Sequence, residues 1–514
     1  MTAATAPGYP LHFVPAGDLL GILPLLIVGG GAVAVLLWDL VRPRHQEVWL
    51  AGLTGLFLLA ALGTAIGQWV ANSGPIVVFN GAYANDRFAL FADFVVLITA
   101  LAVVALSPGY LRRRGLAEGE YYILLLASVA GMLVLDGALN LIVIFLGIEL
   151  LSIPLYVLAG FARDDQRSQE GAMKYLLLGG FASGFLLYGM ALLYGETGHT
   201  SLPAIHAFLL QGAASGHVDP MVLAAVGLLA VGLAFKVSAA PFHWWTPDVY
   251  QGSPAVVTTF MSVATKVAAF AVFLRLFSAT LAPYRAEWTV PIAVVAIVSM
   301  IYGNVVAVAQ TSIKRLLAYS GIAQAGYIMI GVALGRPDGT QASLYYLAAY
   351  AFMNTGAFAV VTILSRRGED CDRYSELAGL GRREPVLAGL MTLFMLSLAG
   401  FPLTVGFFGK FFLFSAAIHD GQLALAIWGV LTSAVSLFYY LRVILKMYAP
   451  AADVGSVEEF EVASVSPEGT AVAAPTAVGP AVLVVALAGA GTIVLGIFPA
   501  LIYTLLQGIS VVHG

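Results

Sequence analysis

The sequence has little of what a water-soluble protein depends on. Charged residues fill only 10% of its 514 positions, whereas soluble domains carry about 25%, so an ordinary soluble enzyme or binding module is excluded. There is one cysteine, Cys371, which rules out an internal disulfide or a cysteine-ligated cluster from this chain alone. A net charge of −4 gives no sign of nucleic-acid binding. No basic residue precedes the first apolar run. MTAATAPGYPLHFVPAGD therefore does not read as a cleaved signal, and the first span is expected to be retained.

What fills the chain instead is apolar: 60% of residues are hydrophobic and the mean hydropathy is +0.92. Runs of at least ~18 apolar residues, each long enough to cross ~30 Å of hydrocarbon, recur from Gly17 to Leu505, and we count about fourteen. The fold class expected is an all-α polytopic membrane protein. Sixteen of the 24 Lys and Arg lie in or beside alternate loops: Arg42, Arg44, Arg112, Arg113, Arg114, Arg163, Arg167, Lys314, Arg315, Arg366, Arg367, Arg373, Arg382, Arg383, Arg442 and Lys446. The opposite ends hold Arg87, Arg275, Arg285 and Arg336. The positive-inside rule makes the first set cytoplasmic and puts both termini outside.

Two runs are too long to be straight. Residues 219–250 and 385–418 would extend roughly 45–50 Å as helices, and each carries a proline near its middle, Pro241 and Pro402. Both are expected to be interrupted helices, which persist in a bilayer only where the freed backbone is buried in protein or lines a wet cavity. The breaks fall in spans seven and twelve, five apart. Spans four to eight (119–281) and nine to thirteen (288–448) then read as two copies of a five-helix unit, the second inverted because the count is odd. QEGAMKYLLLGGFASG (169–184) faintly echoes QASLYYLAAYAFMNTG (341–356), one span before each break. Residues 1–118 supply three further spans, 449–479 read as a flexible cytoplasmic linker, and 480–514 hold the last helix.

The remaining basic residues, Lys174, Lys236, Lys266 and Lys410, lie inside apolar spans, as does Glu149. Each costs about 2.5–3.5 kcal/mol at mid-bilayer and is a functional candidate by default. Lys236, five residues before Pro241, is a partner for Glu149, and such a pair could hold or release a proton. A static ion pair would use the same two residues. Lys266 lies deep in span eight, and Lys410 follows Pro402 by eight residues. Lys174 is near a span end, where a lysine can reach headgroups. His243 could relay protons or be a satisfied buried histidine, and Trp244 and Trp245 read as interfacial anchors. A series of proton donors and acceptors favours H⁺ over Na⁺, which would want several oxygen ligands.

The motifs FLGIELLSIPLYVLAGF (145–161), FKVSAAPFHWWTPDVYQGSP (235–254), SIKRLLAYSGIAQAGYIMIG (312–331) and GFPLTVGFFGKFFLF (400–414) give the chain a close resemblance to the antiporter-like membrane subunits of respiratory complex I, NADH-quinone oxidoreductase. PDVYQGSP and the short C-terminus are similar to the subunit N type. The resemblance implies fourteen helices, two inverted five-helix units, and Glu149, Lys236, Lys266 and Lys410 as the proton relay, with His243 and Lys174 as further candidates. It implies proton translocation driven by quinone reduction in neighbouring subunits of a bacterial inner membrane. NADH, FMN, iron–sulfur clusters and quinone would lie on those partners, and no cofactor or metal on this chain. Gln324 departs from the pattern, since many relatives carry histidine there, which puts any relay through span ten in doubt. Rival readings are a subunit of a Na⁺/H⁺ antiporter or membrane-bound hydrogenase, a non-transporting scaffold, and a stand-alone solute carrier.

Overall fold

The computed structural model describes residues 15–41, 48–71, 74–116, 119–214, 218–365, 370–450, 479–509 and 511. Arg42, Arg44, Arg366, Arg367 and nearly all of the expected linker lie outside them.

Helix starts and stops follow local chemistry. Asp86, Asn140, Asp165, Asp219 and Ser312 each use a side-chain oxygen to accept a backbone N–H in the first turn of spans three, five, six, seven and ten. That satisfies donors a helix cannot satisfy itself. Gly115, Gly198 and Gly335 end spans three, six and ten in left-handed backbone. Among the described residues, twelve helices are long and apolar enough to cross a membrane. They are span one (Leu23–Val41), two (Val48–Ala71), three (Arg87–Arg114), four (Gly119–Asp136), five (Leu141–Ala159), six (Gln166–Thr197), eight (Ala255–Leu274), nine (Arg285–Val308), ten (Ile313–Leu334), eleven (Pro337–Leu364), thirteen (Leu423–Tyr448) and fourteen (Gly479–Ile497).

Spans seven and twelve are each two half-helices: Pro220–Lys236 with Trp245–Gly252, and Pro385–Ala399 with Val405–His419. The interruptions at Pro241 and Pro402 are therefore present. Inside them Ser238 and Leu403 are held at φ +65° and +68°, left-handed backbone that costs a non-glycine residue energy. The Ala240–Pro241 peptide is cis. Neighbours repair the freed backbone: Ala240 N–H donates to Ser299 Oγ at 2.8 Å, and Gly406 N–H to Ser397 Oγ at 3.2 Å. Three features went unanticipated: a short hairpin (Ile76–Val78 with Tyr83–Asn85), a short apolar helix at Leu202–Ala214, and a π-helical extension of span eight at Arg275–Thr280.

The core centres on spans eight and ten, buried along nearly their whole length, with spans one, two and six largely at the periphery. Spans four and five pack most extensively with each other, as do spans nine and ten.

Arg114, Arg163, Arg167, Lys314 and Arg373 of the basic set converge at one end. There a polar cavity of about 850 Å³ is lined by Arg114, Asp165, Arg167, Lys314, Asp370 and Glu376, among others. Lys314 Nζ donates to Asp370 at 2.8 Å and to the Ser253 carbonyl at 2.7 Å, and Asp370 also accepts from the Tyr110 hydroxyl at 2.7 Å. The segment after span eleven is thereby latched onto spans three, seven and ten. Burial alone would raise the Asp370 carboxyl, but Lys314, Tyr110 and Arg114 outweigh it and hold the group below its ordinary range. Asp370→Asn leaves Lys314 buried without its counter-charge, and we expect a loss of roughly 3–5 kcal/mol in thermal unfolding of the solubilised protein. Because the folded carboxyl titrates below its unfolded value, the latch contributes fully above about pH 4–5. Its contribution fades as pH falls through the folded value, an acid dependence the variant lacks.

Candidate functional site

Lys236, Lys266 and Lys410 are 6%, 1% and 4% exposed, so none snorkels to a surface. What each amine touches follows from its place on a helix. Lys236 ends the first half of span seven, and its Nζ donates to Ser152 Oγ of span five at 2.7 Å, 5.8 Å from the Tyr156 ring centre. Ser152 in turn donates to the Ile148 carbonyl. Glu149 lies three residues before Ser152, on the same helix face, and accepts from Ser183 Oγ of span six at 2.5 Å. The expected Glu149–Lys236 ion pair is thus not a direct contact. Ser152 takes the lysine and Ser183 takes the carboxylate, because the intervening turn of span five separates the two.

Lys266 of span eight donates to the Gly321 carbonyl of span ten at 2.6 Å, with the Tyr350 ring centre 5.4 Å away. A glycine is needed for that approach: a Cβ on residue 321 would stand 2.8 Å from Nζ. Lys410 of span twelve folds back onto the end of its own first half-helix. It donates to the carbonyls of Leu398 at 3.1 Å and Ala399 at 3.0 Å, and to Ser433 Oγ at 2.7 Å. Those carbonyls are the unpaired, electronegative end of a helix. The broken rod therefore supplies the oxygens that a buried ammonium requires. The Tyr327 ring centre lies 4.7 Å from the amine.

Between Lys266 and Lys410 runs a chain of polar groups. Ser320, next to Gly321, shares a hydrogen bond of 2.5 Å with the Tyr440 hydroxyl. Gln324 Nε2 donates to that hydroxyl at 3.3 Å and to the Leu398 carbonyl at 3.2 Å, the carbonyl that Lys410 also holds. The Tyr346 hydroxyl donates to Gln324 Oε1. Gln324, the departure that put span ten in doubt, thus stands at the centre of the connection. Tyr327 extends the polar ground beyond Lys410 toward Thr432 and Asn304. Toward Lys236 lie the buried hydroxyls of Ser238, Tyr250 and Tyr350, the first two within reach of each other and none with a further side-chain or backbone partner among the described residues.

Other candidates stand apart. Lys174 is at the basic end, 40% exposed at its side chain, and paired with Asp248 at 2.5 Å and Glu170 at 2.6 Å. Asp248 also receives Arg315 at 2.7 Å, so it ties the second half of span seven to spans six and ten. His243 is buried within the first break, its ring 4.5 Å from that of Tyr302, and no hydrogen bond joins it to the lysines among the described residues. Trp244 is 69% exposed, as an anchor should be, but Trp245 is buried. It stacks on Tyr175 at 4.5 Å and donates to the Phe235 carbonyl across the break, so it is packing rather than an interfacial anchor. Ser152, Ser183, Tyr346, Ser433 and Tyr440 were missed. Their signal was a small polar or phenolic residue one or two turns from another polar position within an apolar helix.

Comparisons with known proteins agree with this architecture. A family described as NADH:quinone oxidoreductase/Mrp antiporter, transmembrane, matches residues 138–436. NADH-quinone oxidoreductase subunit N of Trichlorobacter lovleyi is 41% identical over 95% of this chain and 96% of its own. That of Chloroflexus aggregans is 40% identical over 98% and 99%. A chain of respiratory complex I from Thermus thermophilus superposes with a TM-score of 0.76 at 33% identity, covering 96% of this chain and all of that one. A chain of the Mrp complex from Dietzia shares the fold, with a TM-score of 0.79 at 24% identity over 95% and 96%. With such identity sustained over nearly its whole length, the chain belongs to the NADH-quinone oxidoreductase subunit N family of antiporter-like membrane proteins.

Proposed function

We propose that the chain translocates protons as a membrane subunit of an NADH:quinone oxidoreductase in a bacterial inner membrane, with both termini on the outer side. In this reading its partners are the other membrane subunits. Quinone is reduced there by electrons from NADH through FMN and iron–sulfur clusters, none of them carried by this chain. The two working units are residues 119–281 and 288–448, framed by 1–118, the linker 449–479 and the helix in 480–514.

The observation that carries the reading is the run of polar groups between the buried amines of Lys266 and Lys410: Lys266 holds the Gly321 carbonyl, and from the adjacent Ser320 hydrogen bonds lead through Tyr440 and Gln324 to the Leu398 carbonyl that Lys410 holds. A scaffold gains nothing from costly buried amines linked in this way. A solute carrier would need substrate-shaped polar groups outside the chain. Glu149 biases Lys236 across one helical turn, and a shift of either element changes how well the ammonium is stabilised. The hydroxyls of Ser238, Tyr250 and Tyr350 offer water the two to four partners it needs to bridge toward Lys266. Moving one charge against ~150 mV costs roughly 3.5 kcal/mol, within reach of rearranging one buried charge contact. Lys174 and His243 serve at the margins, the first through Asp248.

Two expectations follow from the named contacts. Lys236→Met should leave the complex assembled and lower proton pumping coupled to quinone reduction by at least about tenfold, measured as H⁺ uptake in reconstituted vesicles. Unchanged uptake would refute the role. Gln324→Leu should strip Tyr346 and Tyr440 of a partner, at about 1–3 kcal/mol, and slow pumping by about tenfold. Gln324→His, which can carry the proton itself, should pump at least as well as the parent, and a pumping rate as low as that of the leucine variant would show that the chain does not run through residue 324.

A further inference from the structure

At the end of the bundle opposite the basic set, spans three, four and eight and the hairpin enclose a cluster that takes no part in the lysine series. Among the described residues it holds three carboxyls, Asp86, Asp93 and Asp136, and one cation, Arg275, all at most 4% exposed. The Arg275 guanidinium is committed to Asp86, donating to its two oxygens at 3.0 and 3.1 Å. Asp86 also caps span three, accepting from Ala89 N–H at 2.8 Å. That pair is electrically complete. Toward Asp136 the guanidinium reaches only the backbone carbonyl, at 3.0 Å. Tyr83 of the hairpin spends its hydroxyl on the Leu133 carbonyl.

Asp93 and Asp136 are left with each other. Their carboxyls lie within hydrogen-bonding reach, yet both oxygens of Asp136 and Oδ1 of Asp93 receive no donor among the described residues. Two ionised carboxylates cannot bond to each other, since each only accepts. Nor can both stay charged so close together in a buried site where the terminal nitrogens of Arg275 go to the Asp86 carboxylate and the Asp136 backbone carbonyl and its Nε–H reaches neither Asp93 nor Asp136. One proton placed between them removes both difficulties. It gives a hydrogen bond from acid to carboxylate and cuts the buried charge to one.

We propose that Asp93 and Asp136 form a proton-binding site that holds one proton shared between two carboxyls. The groups facing it are Asp86 from span three, Arg275 from span eight and Tyr83 from the hairpin. Arg275 lies nine residues beyond Lys266 on the same helix, about 13 Å along the axis, so the site stands apart from the lysine series at the far end of span eight. It rests on the burial of the two carboxyls and on their lack of donors among the described residues, and holds whether or not the lysines pump.

The test is infrared difference spectroscopy on the intact purified complex, parent minus Asp93→Asn/Asp136→Asn, in H₂O and D₂O at neutral pH. The difference should contain one carboxylic acid carbonyl stretch that shifts in D₂O, together with one carboxylate. Two carboxylates and no acid would overturn the proposal, as would two acids. If the double variant does not assemble, Asp136→Asn alone gives the reading. The acid stretch of the pair must then be lost or displaced, and an unaltered acid region overturns the assignment.

Discussion

Inside hydrocarbon a helix end leaves carbonyls with no water to bond, and a lysine amine leaves a charge with no solvent to hold it. Span twelve solves both problems with one contact. Breaking at Gly400 frees the carbonyls of Leu398 and Ala399, and Lys410 from the second half-helix returns to occupy them. The break and the buried cation therefore support each other: without the interruption the ammonium has too few oxygens, and without the ammonium the two carbonyls keep only the donors that Gln324 and Ser433 supply. The positions of Gln324, Ser433 and Tyr327 are set around that contact.

The first unit resolves the same tension differently. Lys236 sits at the end of its own half-helix and reaches across to Ser152 of span five, while Ser299 and Trp245 serve the exposed backbone of the break. Its ammonium is held by one hydroxyl oxygen, where Lys410 has two carbonyls and a hydroxyl. Lys236 is accordingly the less firmly held of the two, and Glu149 one turn away is the charge best placed to bias it. Such an asymmetry suits a device in which one end responds and the other receives. Ion pairs pin the ends around these sites: Asp248 between Lys174 and Arg315 on the basic side, and Asp420 between Arg285 and Arg336 on the other.

Much of this was legible in the sequence because lipid imposes strict rules. Pro241 and Pro402 in overlong apolar runs marked the two breaks, and lysines too deep to snorkel marked the amines. The sequence could not show which partner each amine chooses. Glu149 looked like the natural mate for Lys236, yet three residues along a helix suffice to hand that place to Ser152. Gln324 looked like a gap in the route, because an amide neither takes up nor gives up a proton near neutral pH, as a histidine can. Its two donors and one acceptor instead let it join Tyr440, Tyr346 and the Leu398 carbonyl at one point. Trp245 was misjudged for a related reason: adjacent residues in a broken segment face different surroundings, and only Trp244 faces outward.

The central claim is that these buried amines change protonation while the complex works. The direct measurement is ¹⁵N magnetic resonance of lysine-labelled complex, with Lys236, Lys266 and Lys410 assigned by substitution, compared at rest and during steady NADH oxidation. The account predicts that at least one of the three moves between ammonium and neutral amine on turnover, and that blocking quinone reduction reverses the change. If all three kept one charge state under every condition, they would be fixed structural charges and the pathway described here would be contradicted.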